Sequence, residues 1–85
     1  MKAPFVKVTW DDAEDPPTDG RAWLDVADVD AWKDHRCTVV SVGYLVAKTK
    51  RHITLAADWI DAYKQFGRVT KIPRGMVISV QKLKA

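Results

Sequence analysis

The sequence predicts a single, mainly β domain built as a small five-stranded barrel. Its 85 residues are the length of one domain. Several short segments between residues 39 and 83 are rich in β-branched and aromatic residues, and turn-forming residues separate them. A glycine, Gly43, lies inside the longest of these segments. A glycine inside a strand commonly marks a sharp bend or the close approach of another backbone, which small barrels need at their corners.

The first third of the chain predicts one strand, one loop and one helix. Residues 5–10 alternate and are rich in β-formers, so they predict a strand. Residues 11–20 contain Asp-Asp, Asp-Pro-Pro and Thr-Asp-Gly, which predict an exposed acidic loop rather than a catalytic carboxylate pair. Residues 25–33 begin with acidic residues and lead into basic ones, an order that suits the dipole of a short helix.

The middle of the chain predicts a hairpin. Residues 37–48 form the clearest strand, which is long and bends at Gly43. Residues 48–51 are a polar tip, and residues 52–56 return as the partner strand.

The segment 58–67 fits a short helix or a helical loop. Its apolar residues recur at three- and four-residue spacing: Trp59, Ile60, Tyr63 and Phe66. Asp58 is placed to cap such a helix and Gly67 to terminate it. Residues 68–72 and 76–81 then alternate as two further strands, and residues 73–75 make a tight connection between them. Five short strands with a glycine bend favour a small barrel of the SH3 or OB type over a sandwich.

Charge divides the chain into two unlike parts. Residues 1–34 hold four basic and nine acidic residues, a net charge of −5, whereas residues 35–85 hold ten basic and two acidic ones, a net of +8. The second part therefore suits an anionic partner, or the acidic part of a neighbouring copy. Ordinary solvated faces would explain the same charges without any partner.

Chemistry-bearing residues are few. The single cysteine, Cys37, cannot form an internal disulfide, and His35 nearby brings no third orienting group, so a buried inert thiol is the favoured interpretation. Two histidines and one cysteine without metal-ligand spacing predict no metal and no cofactor. The four tryptophans indicate core or subunit interface. We expect a non-enzymatic protein of a reducing cytoplasm, with no membrane span.

Two segments carry a resemblance to a known family. Gly43-Tyr44-Leu45 followed by His52-Ile53-Thr54-Leu55 is similar to the first motif of the Sm/LSm family of RNA-binding rings. Ile72-Pro73-Arg74-Gly75 followed by Met76-Val77-Ile78 resembles the family's second motif, an Ile-Arg-Gly-like turn before the last strand. The resemblance covers residues 39–83 and implies an Sm-like barrel core there. The whole chain also resembles small proteins of tailed bacteriophages, which implies an origin, with the host cytoplasm as its location, and no activity.

The resemblance implies a nucleic-acid site on two loops. The site residues that it implies are Lys48, Lys50, Arg51, His52, Arg74 and Gly75. In the family an Asp and an Asn of the hairpin turn help hold a base; here Thr49 or Lys50 stands at the first position and His52 at the second. Histidine can stack on a base, and the basic residues can meet phosphate.

The leading hypothesis is an Sm-like barrel that forms a homo-oligomeric ring and binds single-stranded RNA or other nucleic acid. An open five-stranded barrel leaves two ladders unpaired, and joining them between copies satisfies both. The alternative is a phage-derived structural or protein-interaction module with no nucleic-acid ligand.

Overall fold

The computed structural model describes residues 3–16, 20 and 23–84, and over this range the protein is mainly β. The elements follow the order β1 (Phe5–Asp12), α1 (Val26–Trp32), β2 (Cys37–Lys48), β3 (His52–Ile60), β4 (Gln65–Pro73), a 3-10 turn (Arg74–Met76) and β5 (Val77–Lys82). The described residues thus contain five strands and one α-helix. The predicted mainly β class and five-stranded count are confirmed.

The five strands form one antiparallel sheet in the order β4-β3-β2-β1-β5. Strands β2, β3 and β4 follow one another as hairpins, whereas β5 returns to pair with β1. The sheet does not close, so β4 and β5 are its two edges and have no strand on their outer sides within the described residues. Each edge therefore presents backbone N–H and C=O groups that another strand could pair with.

The hydrophobic core is small, and its buried side chains come from three strands, β1, β3 and β4. Five side chains are buried together: Val6, Val8, Ile53, Leu55 and Ile72. Trp10, Leu45 and Val77 pack against them and are partly buried. Trp10 also donates its indole Nε1–H to the Ser41 hydroxyl at 3.0 Å, so its polar atom is satisfied where it packs. Trp10 thus meets the core interpretation of the tryptophans, whereas Trp23 is 88% exposed and is not a core residue.

Gly43 marks the place where two strands come closest. It is buried, and a Cβ at this position would lie 2.8 Å from the carbonyl oxygen of Ala56 on β3. The predicted close approach of a second backbone at Gly43 is therefore confirmed. Beyond it, β2 pairs with β3 only over the stretch from Tyr44 to Lys48, where a bulge interrupts the register between Leu45 and Ala47.

The predicted helix at residues 58–67 is wrong, because this segment is the end of the β3–β4 hairpin. Trp59 pairs directly with Phe66 across the two strands, and the chain turns between Ile60 and Gln65. Lys64 has a φ of 54°, which no residue inside a right-handed helix adopts. The three- and four-residue apolar spacing arises because a four-residue turn separates two strands whose apolar residues face each other.

The helix α1 matches the prediction for residues 25–33 to within one residue at each end. The backbone N–H of Asp25 donates to the Asp28 carboxylate at 3.1 Å, which holds the first turn. No residue of α1 is buried. Among the described residues, no helix has the length and apolar character needed to cross a membrane.

The acidic loop begins later than predicted, because β1 continues through Asp12 instead of ending at residue 10. Asp11 explains the extension. It accepts a hydrogen bond from the Thr38 hydroxyl at 3.0 Å and pairs with the Arg36 guanidinium at 3.5 Å, both on the neighbouring chain segment. Positions 17–19 of the predicted loop lie outside the described residues.

Candidate nucleic-acid interface

The hairpin turn between β2 and β3 is held by the side chain and backbone of Thr49. The Thr49 N–H donates to the carbonyl of His52 at 2.9 Å. Its hydroxyl oxygen accepts from the backbone N–H of Arg51 at 3.3 Å and from that of His52 at 3.1 Å. A threonine hydroxyl that bonds to backbone two and three residues on is a recognised way to fix a turn. The turn therefore has a defined shape before any ligand arrives.

Arg74 joins the two predicted loops into one surface. Its backbone N–H donates to the Arg51 carbonyl at 2.8 Å, and its guanidinium Nη1 donates to the Thr49 carbonyl at 2.9 Å. Directly beside these contacts, His52 of β3 is paired in register with Pro73 of β4. The segments 48–52 and 73–75, which lie more than 20 residues apart in sequence, are thus in direct contact.

The Arg74 contacts change the role expected of this arginine. One guanidinium nitrogen is committed to the turn carbonyl, so Arg74 braces the loop as well as carrying a charge. The side chain is exposed, and its other N–H groups can still face a ligand.

The cations of the turn are exposed and have no acidic partner in the part of the chain that the structure describes. Lys48, Lys50 and Arg51 are all exposed, and within the described residues none of them takes part in an ion pair. Together with Arg74 they give four positive charges on one small surface. Unpaired positive charges on neighbouring residues make the local electrostatic potential more positive, which favours the binding of an anion there.

His52 and Gly75 complete the set of predicted site residues. His52 is half-buried beside the turn, so part of its imidazole can contact a ligand. Gly75 lies in the 3-10 turn, has no left-handed φ, and has no atom within 4 Å of where a Cβ would stand. This turn therefore does not depend on the backbone freedom of glycine, and a side chain would fit at position 75.

The structure gives Thr49 a role that the sequence does not predict. The sequence places Thr49 or Lys50 at the position of the family's Asp, and Thr49 is not among the predicted binding residues. The available signal was its place at the first position of a polar hairpin turn, where a hydroxyl can bond to backbone ahead of it.

Cys37 and His35 do not form a pair. His35 Nδ1 contacts the Glu14 carboxylate, which ties the acidic segment to the chain just before β2. Cys37 is half-buried. Among residues 3–16, 20 and 23–84, no group of three or more His, Cys, Asp or Glu side chains could hold a metal ion.

An open cleft of about 260 Å³ lies beside the core, and it shares no residue with the turn. Its lining consists of Ser41, Val42, Leu55, Ala57, Arg68 and Thr70. It offers two hydroxyls and one guanidinium that already binds Asp58, and it has no nucleophile beside a general base. The arrangement gives no reason to assign catalysis to it.

Comparisons with protein-family models, with curated proteins and with solved structures gave no match for this chain. The geometry of the turn and the sheet therefore has to carry the functional argument.

Proposed function

We propose that this protein is a non-enzymatic, Sm-like barrel that assembles into a homo-oligomeric ring and binds single-stranded RNA or another nucleic acid. The contact between Arg74 and Thr49 is the observation that carries the proposal. It brings both segments of the sequence resemblance onto one basic surface, as a shared ligand site requires. The reducing cytoplasm, that of a bacterial host for a phage protein, is the compartment that goes with this function.

The chemistry of the turn fits a polyanion. The exposed side chains of Lys50 and Arg51 can bind the phosphates of a nucleic acid, and the half-buried His52 offers a ring on which a base can stack. A few charges on one copy give weak, salt-sensitive binding. Several turns around a ring would act on one strand together, and the effective concentration of each additional contact would raise the affinity.

The edges of the sheet support assembly between copies. Among the described residues no strand pairs with the outer side of β4 or β5, and both strands carry exposed apolar side chains, including Val69 at 54% and Ile78 at 51% exposure. Pairing β4 of one copy with β5 of the next would satisfy both ladders and cover these side chains. A small domain with this core would gain stability from such pairing.

Two measurements test the proposal. Light scattering should give the mass of a multi-copy assembly, and fluorescence polarisation with labelled single-stranded RNA should show binding that weakens as salt rises. Arg74→Ala combined with His52→Ala should weaken RNA binding without altering the oligomer mass. A clean monomer would remove the ring, and the absence of any salt-dependent shift would remove nucleic acid as the ligand.

A matched pair of charge variants sharpens the binding test. Lys50→Ala removes one unpaired cation from the turn, whereas Lys33→Ala removes one from the end of α1, where it pairs with Asp30 at 3.4 Å. We expect Lys50→Ala to lower both the affinity and the salt slope, by about one unit in the slope, and Lys33→Ala to change neither. Equal effects of both variants would mean that net charge alone, rather than the turn, attracts the RNA.

The second candidate function, a structural or protein-interaction module, is favoured by the apolar surface beside α1. Trp23 is 88% and Val26 is 79% exposed, which is unusual for such large apolar side chains. A stable oligomer that shows no RNA binding would favour this function.

A further inference from the structure

We propose that the end of the β3–β4 hairpin, residues 59–66, is a self-association surface through which two copies bind each other tip to tip. This segment is called the hairpin tip below. The proposal goes beyond the ring and the nucleic-acid site and rests on neither. It uses the end of the hairpin, which shares only the first two residues of β4 with the proposed ring contact and which no other described strand covers.

The hairpin tip exposes apolar side chains that the protein itself leaves uncovered. Tyr63 is 74% exposed, Ile60 45% and Phe66 41%. The Phe66 ring also lies 4.9 Å from the ring of Trp59 at an interplanar angle of 50°, an ordinary tilted aromatic pair. Covering this group would remove aromatic area from water, which is the main source of binding energy at protein interfaces.

The charges at the hairpin tip are balanced, and this selects the partner. Lys64 binds the Asp61 carboxylate at 2.9 Å, and just below the tip Arg68 binds Asp58 through two nitrogens, at 2.7 and 3.0 Å. The tip therefore has no net charge and would not draw in a polyanion. Nucleic acid is the disfavoured occupant here, in contrast with the 49–52 turn.

A second copy fits because the charge pattern is self-complementary. In a two-fold contact, residue i of one copy meets residue j of the other, and j meets i in return. Such a contact can place Lys64 of each copy beside Asp61 of its partner while the rings of Tyr63 and Phe66 pack between them. The two ion pairs within the copies then become two ion pairs between them, so no charge is left without a partner.

The hairpin tip is also fixed in shape before it binds. The Trp59 indole N–H donates to Asp61 at 3.4 Å, and the Lys64 ammonium lies 5.9 Å from the centre of the Trp59 ring. Hydrogen bonding from Lys64 and Trp59 holds the pKa of Asp61 below its usual value. An ordered surface loses less entropy on association.

The area of the hairpin tip sets the strength of the contact. Eight residues supply much less than the roughly 800 Å² per partner of a standard stable interface. Single copies should therefore pair weakly, whereas assemblies that present several tips at once should pair strongly. The tip also lies at the opposite end of β4 from the basic turn, about 25 Å away along the strand, so pairing leaves the turn open.

Charge-swap variants test the contact directly. Asp61→Lys makes the tip positive and Lys64→Asp makes it negative, so each variant alone should repel its own copies. Mixed in equal amounts, the two variants should attract each other. By sedimentation velocity over a range of concentrations, we expect the unmodified protein to associate, each variant alone to associate at least tenfold more weakly, and the mixture to regain association. Variants that still associate alone, or a mixture that does not regain association, would overturn the proposal.

A second variant pair separates the apolar part of the contact from general loss of hydrophobic surface. Tyr63→Ser removes the most exposed ring of the tip, whereas Val40→Ser removes a 58% exposed side chain from β2. We expect Tyr63→Ser to weaken association about tenfold and Val40→Ser to leave it unchanged. Equal effects would mean that the tip is not the contact.

The test of the tip contact gives a clear result whether or not the protein forms a ring. If the protein forms a ring of n copies, tip variants should lose the 2n species and keep the n species. If no ring exists, the same variants should lose a dimer and keep a monomer. Failure of the ring therefore shows in the smaller species, and failure of the tip contact shows in the larger one.

Discussion

Gly43→Ala should destabilise the protein by about 1–3 kcal/mol, the usual cost of forcing an extra methyl into a packed position. The added Cβ would stand 2.8 Å from the carbonyl oxygen of Ala56 and 3.3 Å from its carbonyl carbon. A carbon and a carbonyl oxygen normally approach to about 3.3–3.6 Å, so β2 and β3 would have to separate by about 0.5 Å. The obstacle is backbone, and Gly43 is buried opposite the core residue Val6, so no flexible side chain can move aside.

Urea unfolding followed by tryptophan fluorescence measures this loss, and thermal unfolding should show a midpoint lower by roughly 5–20 °C for a domain of this size. Gly75→Ala is the matched control, because nothing lies within 4 Å of the new Cβ and the backbone is not left-handed. We expect Gly75→Ala to leave stability unchanged or to raise it by about 0.4–1 kcal/mol. Equal stability of Gly43→Ala and the unmodified protein would refute the close approach of the two strands.

Three further predictions concern the core and the hairpin. Ile72→Val should lower the free energy of unfolding by about 0.5–1.5 kcal/mol, because Ile72 is fully buried and the change leaves a methyl-sized gap. Urea unfolding measures this loss, and an unchanged free energy of unfolding would contradict the packing of Ile72. The hydrogen bond from Arg68 holds the pKa of Asp58 below its ordinary value of 3.8. The stability that this ion pair contributes is therefore present above the unfolded-state pKa and is lost as pH falls through the lower folded-state pKa. A near-ultraviolet circular dichroism titration from about pH 5 to pH 2 should show the hairpin aromatics loosening at the acid end, and Arg68→Gln should reduce that dependence to the part that comes from Asp61. Finally, a double-mutant cycle of Trp10→Phe and Ser41→Ala should give a coupling energy of about 0.5–1.5 kcal/mol for their hydrogen bond, whereas simple additivity would mean that the bond contributes nothing.

The sequence predicted the elements whose cause is local. Residues 37–48 are β-branched around one glycine, and both the strand and the close approach at Gly43 are present. The helix at 25–33 follows from its acidic start and is found as Val26–Trp32. The prediction of a short helix or a helical loop at 58–67 is wrong because apolar spacing alone does not distinguish a helix from two strands joined by a short turn. What decides the question there is the left-handed backbone of Lys64 and the pairing of Trp59 with Phe66.

In the candidate site, too, the sequence predicts the local features and misses the contacts between distant segments. The sequence placed cations at the 48–51 turn and an arginine at 74, because both are visible as motifs. It could not show that Arg74 binds the Thr49 carbonyl, since that contact joins segments 25 residues apart and depends on the β3–β4 register. Nor could it show that Gly75 has room for a side chain.

The position of β1 in the sheet has a consequence for the order of folding. β1 lies between β2 and β5, and its paired residues are distant in sequence: Phe5 pairs with Tyr44, and Val6 pairs with Lys82. Strands β2, β3 and β4 are joined by short turns, so their contacts close small loops and cost less chain entropy. We expect pulse-labelling hydrogen exchange to show the amides of β2–β4 protected before those of β1; simultaneous protection would argue against this order. The strand that precedes the other four in the sequence is thus among the last to pair, and until then the edge of β2 that it pairs with stays open to other chains.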